Sequence, residues 1–188
     1  MNPLVPRPPA SPATPPASPA TPSRTPDLRQ YRGMSQDADA LERAIALACR
    51  AHRGQRYPSP EAEPYILHPL RVMFAVQGFK AQTAAVLHDV LEDTEVNVDQ
   101  LRQARIPDDV IAAVVALTHR AEHTYDQYIE QVAHDRLARN VKLADLADNL
   151  ANNYRLNPSP DVTARIDRYQ RAIQRLQAVP GQVPRSHT

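Results

Sequence analysis

The stretch TAAVLHDVLEDTEV, residues 83–96, places two polar pairs inside an otherwise apolar run. The pairs are His88-Asp89 and Glu92-Asp93, and the alanines, valines and leucines around them are typical of a buried helix. Residues three or four apart lie on the same side of a helix, so the histidine and the three carboxylates would share one stripe. Charged side chains are seldom buried without a partner. A bound divalent cation would supply the positive charge that the carboxylates lack.

Further candidate ligands lie in two other apolar segments that are predicted to be helices. His68 lies in PYILHPLRV, and Asp145 lies in KLADLADN. With His88 and Asp89 they form a mixed nitrogen and oxygen donor set, which suits Mn²⁺, Fe²⁺ or a similar six-coordinate ion better than structural zinc. Such an ion leaves coordination positions open for a water and a phosphate oxygen, and it lowers the pKa of the water. The pattern therefore predicts a metal site that can activate a water, with a phosphate group as a possible target.

Glu92 and Asp93 follow the predicted ligands by about one helical turn, where they are expected to orient or deprotonate the attacking water. The alternative is a structural ion-pair network in which Asp145 pairs with Lys142. That network explains Glu92 and Asp93 as exposed residues at a helix end. It leaves unexplained why two histidines and two aspartates lie in apolar helices with few matching cations.

The composition argues against several functional classes. The chain has 22 Lys and Arg residues against 21 Asp and Glu residues, so it lacks the one-sided charge of a dedicated nucleic-acid or membrane-surface binder. Its single cysteine, Cys49, cannot form an internal disulfide, which favours a reducing compartment. No apolar run approaches the roughly 20 residues that span a bilayer, and the N-terminal residues lack the apolar region of a secretory signal, so none is expected. We expect a cytoplasmic protein with neither a nucleic-acid nor a membrane partner.

The placement of proline divides the chain into a tail and a domain. Ten of the nineteen prolines lie in residues 1–26, which predicts a disordered tail over residues 1–34. Met34 precedes a good helix start, which suggests the hypothesis that it is the initiator. Over residues 35–179 apolar positions recur at helical spacing and no segment alternates with period two. We predict an all-α domain there, with roughly seven helices packed as a compact orthogonal bundle, followed by a flexible C-terminal tail over residues 180–188.

Several helix ends are predicted from capping residues. Ser35 is expected to cap the first helix, and another helix is expected to run over residues 64–78. Thr124 and Gln127 have the spacing of a capping box. Ser159 is followed by a proline, the pattern of a cap and a first helical residue. The opening stretch is expected to lie on one uninterrupted helix.

Five motifs occur in an order that resembles a known family. They are AHRGQR, PYILHPLRV, AAVLHDVLEDTEV, ALTHR and VKLADLADNL. Together they resemble the HD-domain superfamily of metal-dependent phosphohydrolases. More narrowly, they resemble the hydrolase domain of RelA/SpoT-type alarmone enzymes and their small stand-alone relatives. The resemblance covers about residues 36–177 and implies the helical HD-domain fold.

The resemblance also implies roles for particular residues. In that family the ED pair lies next to the catalytic water, which corresponds to Glu92 and Asp93, and the asparagine after the LAD motif helps to hold the nucleotide, which corresponds to Asn149. The implied reaction is removal of the 3′-pyrophosphate of ppGpp or pppGpp. The family's HP histidine, HD pair and LAD aspartate bind one metal, usually manganese; these are His68, His88, Asp89 and Asp145 here.

Positions that would contact the nucleotide depart from the family pattern. The family usually has an Arg-Lys pair just past the glutamine of AHRGQR, whereas Arg56 and Tyr57 follow it here. Arg56 is expected to reach a phosphate, and Tyr57 to stack on a base. The usual Arg-Leu-His after the LAD aspartate is replaced by Leu-Ala-Asp, ending at Asp148. The basic residue expected shortly afterwards is Ala151, so a phosphate contact is lost unless Arg155 substitutes.

These departures leave three functions open. The first is ppGpp hydrolysis, the second is the same chemistry on another nucleotide, such as a nucleoside monophosphate or NADPH, and the third is a non-catalytic nucleotide-binding module. The complete metal set, together with Glu92 and Asp93, favours an enzyme with Mn²⁺ as its cofactor and a nucleotide as its substrate. His52 is expected to be structural. Surface or packing roles are expected for His119, His123 and His134.

Overall fold

The computed structural model describes residues 32–179, and nine helices occupy this range. Extended pairing within it is limited to one isolated antiparallel bridge between Arg56 and Pro64. The predicted all-α class is therefore confirmed for the described residues. The helices are α1 (Arg32–Ala51), α2 (Leu67–Ala75), α3 (Phe79–Leu87), α4 (Val90–Asp93), α5 (Val98–Gln103), α6 (Asp108–Leu117), α7 (Tyr125–His134), α8 (Arg136–Asn153) and α9 (Pro160–Gln177).

Helix α3 lies at the centre of the bundle because its sequence is apolar on nearly every side. Ala84, Ala85, Val86 and Leu87 are fully buried, and α3 packs against α1, α2, α6 and α8. Burial of each such valine or leucine side chain stabilises the fold by about 1.5–3 kcal/mol. The end of α3 therefore delivers the next residue, His88, into the interior.

A turn at His88 and Asp89 interrupts the helix that the sequence predicts to be continuous, so that prediction is wrong. Helix α3 ends at Leu87, and α4 begins at Val90. Nδ1 of His88 donates to the carbonyl oxygen of Ala85 at 2.7 Å, and the backbone amide of His88 donates to the same oxygen at 3.4 Å. A carbonyl that serves a side chain as well as the backbone weakens the regular helical ladder at this point.

Three predicted helix ends are also wrong. Helix α1 begins at Arg32, so Ser35 lies inside it and is not its N-cap. Helix α2 is shorter than the predicted range 64–78, because it begins at Leu67 and ends at Ala75. Gly78, the last residue of the predicted range, instead precedes α3 with a φ of 88°, a conformation that favours glycine.

Other helix ends match the sequence patterns. Thr124 and Gln127 form the predicted reciprocal capping box at the start of α7. Ser159 accepts a hydrogen bond from Val162 and caps α9. Helix α8, Arg136–Asn153, matches the predicted helix RLARNVKLADLADNLANN. These ends are specified by contacts within one helical turn, which a sequence pattern can represent.

The predicted tails fall largely beyond the part of the chain that the structure describes. The N-terminal prediction covered residues 1–34, of which only residues 32–34 are described, as the start of α1. The C-terminal prediction, residues 180–188, lies wholly outside. Among the helices of residues 32–179, none combines the length and apolarity that crossing a bilayer requires.

Candidate metal centre and active site

The four predicted metal ligands converge from three parts of the fold. Helix α2 supplies His68, the turn after α3 supplies His88 and Asp89, and α8 supplies Asp145. Nε2 of His68 lies 3.1 Å from Oδ1 of Asp145, and Nε2 of His88 lies 3.0 Å from Oδ2 of Asp89. One donor atom each from His68, His88 and Asp145 lies within 4.8 Å of the others. Donors this close, from residues far apart in sequence, can share one cation.

The environment of His88 fits a metal ligand. The residue is 2% exposed, and its Nδ1 donates to the Ala85 carbonyl at 2.7 Å. In the neutral ring Nε2 then carries the lone pair. That Nε2 is buried and makes no well-aligned hydrogen bond among the described residues, although Oδ2 of Asp89 lies 3.0 Å away. Buried polar atoms are almost always paired, so an ion at this position would complete the site.

Asp145 divides its two oxygens between a lysine and the histidines. Oδ2 lies 2.8 Å from Nζ of Lys142, while Oδ1 faces His68 and accepts a 2.6 Å hydrogen bond from Asn149. Burial acts to raise the pKa of Asp145, but the Lys142 ammonium and the histidines outweigh it and hold the pKa well below its usual range. The structural pair with Lys142 therefore exists, and it leaves one oxygen available to a cation.

Tyr65 orients Asp89 and was not found from the sequence. Its hydroxyl lies 2.6 Å from Oδ2 of Asp89 and 2.9 Å from Oδ2 of Asp93. The ring of His52 packs on Tyr65 with 4.8 Å between centroids, so His52 has the predicted structural role. Tyr65 precedes α2 and contacts a residue 24 positions further along the chain, so no local sequence pattern indicates this contact.

Glu92 and Asp93 point to different sides of the site. Glu92 lines the cavity beside the candidate ligands, and its Oε2 accepts a 2.8 Å hydrogen bond from the backbone amide of His119. Burial raises the pKa of Glu92. Asp93 instead contacts Tyr65, and its backbone carbonyl accepts a 2.8 Å hydrogen bond from Gln55. Of the two carboxylates, Glu92 lines the cavity, and Asp93 adjoins it through Tyr65.

The cavity has a volume of about 260 Å³ and a largely aromatic wall. His119 belongs to this wall, although the sequence predicted a surface or packing role, and its Nε2 lies 2.9 Å from the carbonyl oxygen of His123. Among the described residues that line the cavity, Lys142 is the one Lys or Arg. The other lining residues are Tyr57, Pro58, Tyr65, His68, Asp89, Glu92, Tyr125, Tyr128, Asp145, Leu146, Asn149 and Tyr169.

The predicted nucleotide contacts fall in two different places. Tyr57 is 3% exposed and stacks on His68 with 4.7 Å between centroids and 12° between planes. Its hydroxyl donates to Oδ1 of Asn149 at 2.8 Å. The residue next to it, Arg56, is exposed and lies outside the cavity lining. Tyr57 and Asn149 thus adjoin the metal ligands, while Arg56 lies on the surface.

Comparison with known proteins identifies relatives over most of the chain, although no family model matches it. It is 31% identical over 146 residues to guanosine-3′,5′-bis(diphosphate) 3′-pyrophosphohydrolase MESH1 of Mus musculus, with 72% of this chain and 82% of the relative covered. The Homo sapiens protein of the same name is 32% identical over 148 residues, with the same coverage. A solved structure described as a metazoan ortholog of SpoT that hydrolyses ppGpp matches with a TM-score of 0.64 and 25% identity, covering 76% of this chain and 88% of that one.

Proposed function

We propose a function from one premise: the chain belongs to the MESH1 family of guanosine-3′,5′-bis(diphosphate) 3′-pyrophosphohydrolases. On that premise the chain hydrolyses the 3′-pyrophosphate of ppGpp or pppGpp, the reaction that the motif resemblance implies. The observation that carries the proposal is the convergence of His68, His88 and Asp145, with Nε2 of His88, which makes no well-aligned hydrogen bond among the described residues, facing the other donors.

The proposed cofactor is Mn²⁺, held by His68, His88, Asp89 and Asp145. The chemistry of the donors supports this assignment, because two imidazoles and two carboxylates suit a borderline divalent ion. Lys142 holds the pKa of Asp145 well below its usual range despite burial, and a divalent cation would favour the ionised form of both aspartates in the same way. A bound divalent cation supplies a Lewis acid, which neutralises phosphate charge and makes a water easier to deprotonate.

Glu92 is the proposed general base. The backbone amide of His119 fixes one oxygen of its carboxylate, which leaves the other free to accept a proton from the attacking water. A pKa raised by burial brings a carboxylate closer to the range in which proton transfer is efficient. Asp93 is proposed to act through Tyr65, because its carboxylate contacts the same hydroxyl that contacts Asp89.

The cavity wall supports a nucleotide as the substrate. Tyr125, Tyr128 and Tyr169 provide aromatic surface of the kind on which a purine packs. The Asn149 amide lies beside Asp145, where it is proposed to contact the ribose phosphate region. Arg56 lies outside the cavity and is proposed to reach the phosphates of the 5′ side.

A substrate panel tests the proposal. The full chain, supplied with Mn²⁺, is incubated separately with ppGpp, nucleoside monophosphates and NADPH, and the products are separated by ion-exchange chromatography. The expected result is GDP and pyrophosphate from ppGpp. Turnover of another nucleotide with ppGpp left intact would refute the substrate but not the chemistry. Tight ppGpp binding without turnover would instead identify a non-catalytic nucleotide-binding module.

A further inference from the structure

A second layer of charged residues lies behind His68, on the side away from the other ligands. Asp148, on α8, places its Oδ2 2.7 Å from Nδ1 of His68, on α2. We propose that Asp148 is a positioning residue, which fixes the His68 ring in the orientation and tautomer that present Nε2 to the cation. This inference rests on the metal site of the proposed function.

The tautomer follows from what an ionised carboxylate can do. A carboxylate only accepts hydrogen bonds, so a contact of 2.7 Å with Asp148 places a proton on Nδ1 of His68. In the neutral ring the lone pair is then on Nε2, which lies 3.1 Å from Oδ1 of Asp145. Carboxylates that receive the second ring N–H of a ligating histidine are a recurrent feature of metal sites, where they set ring orientation and basicity.

Arg71 holds the Asp148 carboxylate in place. Its Nε donates to Oδ1 at 2.7 Å and its second terminal nitrogen donates to Oδ2 at 3.1 Å, which is a two-pronged contact. The remaining terminal nitrogen donates to Glu63 at 2.6 Å. Arg71 follows His68 by about one turn and lies on the same face of α2, so the Asp148 carboxylate can accept hydrogen bonds from both residues. The carboxylate is thereby kept charged and directed at the ring.

Stacking restricts the same ring from a second direction. Tyr57 lies parallel to His68, with 4.7 Å between the centroids and 12° between the planes. A ring held by a hydrogen bond at one edge and an aromatic face above it loses rotational freedom about χ2. His88, the other imidazole, obtains its hydrogen bond from the backbone of Ala85. Of the two groups that accept a hydrogen bond from a ligand ring, Asp148 is therefore the one that a side-chain substitution can remove.

Metal affinity separates this role from simple packing of α2 on α8. Asp148→Ala and the isosteric Asp148→Asn are compared with Asp167→Asn, which changes an exposed aspartate on α9. Free Mn²⁺ is measured by electron paramagnetic resonance during titration of the metal-free full chain. We expect Asp148→Ala to weaken Mn²⁺ binding about 10–100-fold, Asp148→Asn to weaken it less, because an amide oxygen still accepts from Nδ1, and Asp167→Asn to leave it unchanged.

The tautomer of His68 provides a readout that a purely structural role would not change. In metal-free protein labelled with ¹⁵N-histidine, at a pH high enough for the ring to be neutral, the His68 signals, assigned with His68→Gln, are expected to show the Nδ1-protonated form. If Asp148→Ala does not fold, the Mn²⁺ affinity and the His68 tautomer are measured in Asp148→Asn, which keeps the shape of the side chain but removes its charge. Wild-type Mn²⁺ affinity in both Asp148 variants, or an unchanged tautomer in Asp148→Ala, overturns the inference.

The proposed function can fail separately. Wild-type protein that binds Mn²⁺ tightly but leaves ppGpp intact contradicts the substrate alone, and Asp148 is still judged by metal affinity. Wild-type protein that binds no Mn²⁺ overturns both the metal site and the role of Asp148.

Discussion

The candidate metal ligands and the proposed nucleotide contacts of this molecule are built by different rules. We call the first set the metal side (His68, His88, Asp89 and Asp145) and the second the nucleotide side (Arg56, with Tyr57 and Asn149 at the junction of the two). His68, His88 and Asp145 are each 2% exposed, and they sit at the ends or on the inner faces of packed helices. Arg56, by contrast, is exposed and lies outside the cavity lining. Each residue on the metal side matches its motif, whereas the nucleotide side is where the chain departs from the RelA/SpoT pattern.

The difference follows from what each side requires. A cation demands several donors within a few ångströms of one another, so a shift in any one helix disturbs the whole set. A nucleotide is larger and can be held by aromatic faces, amides or cations in several arrangements. Packing therefore constrains the chemistry of the metal side, while recognition on the nucleotide side can change without damage to the core.

Removal of one candidate ligand carboxylate should abolish metal binding. Asp89→Ala takes away an oxygen next to both histidines and the partner of the Tyr65 hydroxyl. We expect loss of stoichiometric metal, measured by plasma mass spectrometry after gel filtration, and loss of detectable hydrolysis. Asp167→Ala is the control on the exposed face of α9. An Asp89→Ala protein that retained one metal per chain would contradict the ligand assignment.

A neutral substitution at the proposed base should separate metal binding from turnover. Glu92→Gln keeps the shape of the side chain and its contact with the His119 amide, but it removes the proton acceptor. We expect kcat to fall about 10²–10⁴-fold with Mn²⁺ affinity unchanged. Glu95→Gln, exposed and nearby, should leave both quantities unaltered. Turnover at the wild-type rate in Glu92→Gln would exclude it as the base.

Substitution on the nucleotide side should affect substrate affinity and spare the chemistry. If Arg56 contacts a phosphate, Arg56→Ala removes a charged hydrogen bond worth about 1.5–3 kcal/mol. We expect KM to rise about 10–100-fold with kcat and Mn²⁺ affinity unchanged. Arg53→Ala, exposed in the preceding turn, is the matched control. A fall in kcat with constant KM would place Arg56 on the chemical side instead.

The smallest effect is expected at the junction of the two sides. Tyr57→Phe keeps the stacking on His68 and loses the 2.8 Å hydrogen bond to Asn149. A neutral hydrogen bond contributes about 0.5–1.5 kcal/mol, so kcat/KM should fall about 2–10-fold. Steady-state kinetics on ppGpp checks this value. A loss above 100-fold would show that the hydroxyl contacts the substrate itself.

Local patterns predicted much of the architecture, because helix spacing and caps are encoded within a few neighbouring residues. The capping box at Thr124 and the cap at Ser159 are examples. The interruption at His88 could not be predicted in this way, since the apolar pattern continues through it. At this position Nδ1 of His88 donates a hydrogen bond to the Ala85 carbonyl. The orientation of the ring that allows this bond depends on the packing around it, which the local sequence pattern does not contain.

At the site, motifs identified the residues that the fold brings together, and they missed the residues that support them. Tyr65 and Asp148 contact ligands 24 and 80 positions away in the chain, and such contacts leave no periodic signature. From the sequence, Asp148 is only the end of a departure from the family's Arg-Leu-His, and it has no predicted role. The structure instead shows it hydrogen-bonded to the His68 ring.

Helix α8 carries four of these functions within about two turns: Asp145 as a candidate ligand, Lys142 as its countercharge, Asp148 behind His68, and Asn149 beside Tyr57. Each added residue rotates everything beyond it by about 100°. A one-residue insertion after Leu143 would therefore turn Asp145, Asp148 and Asn149 away together while Lys142 stayed behind. An insertion in the connection between α8 and α9 would leave all four in phase. The rotation of one helix thus sets the position of a candidate ligand, its countercharge, the residue behind His68 and a proposed nucleotide contact. Insertions and deletions within α8 should therefore be far more damaging than most single substitutions.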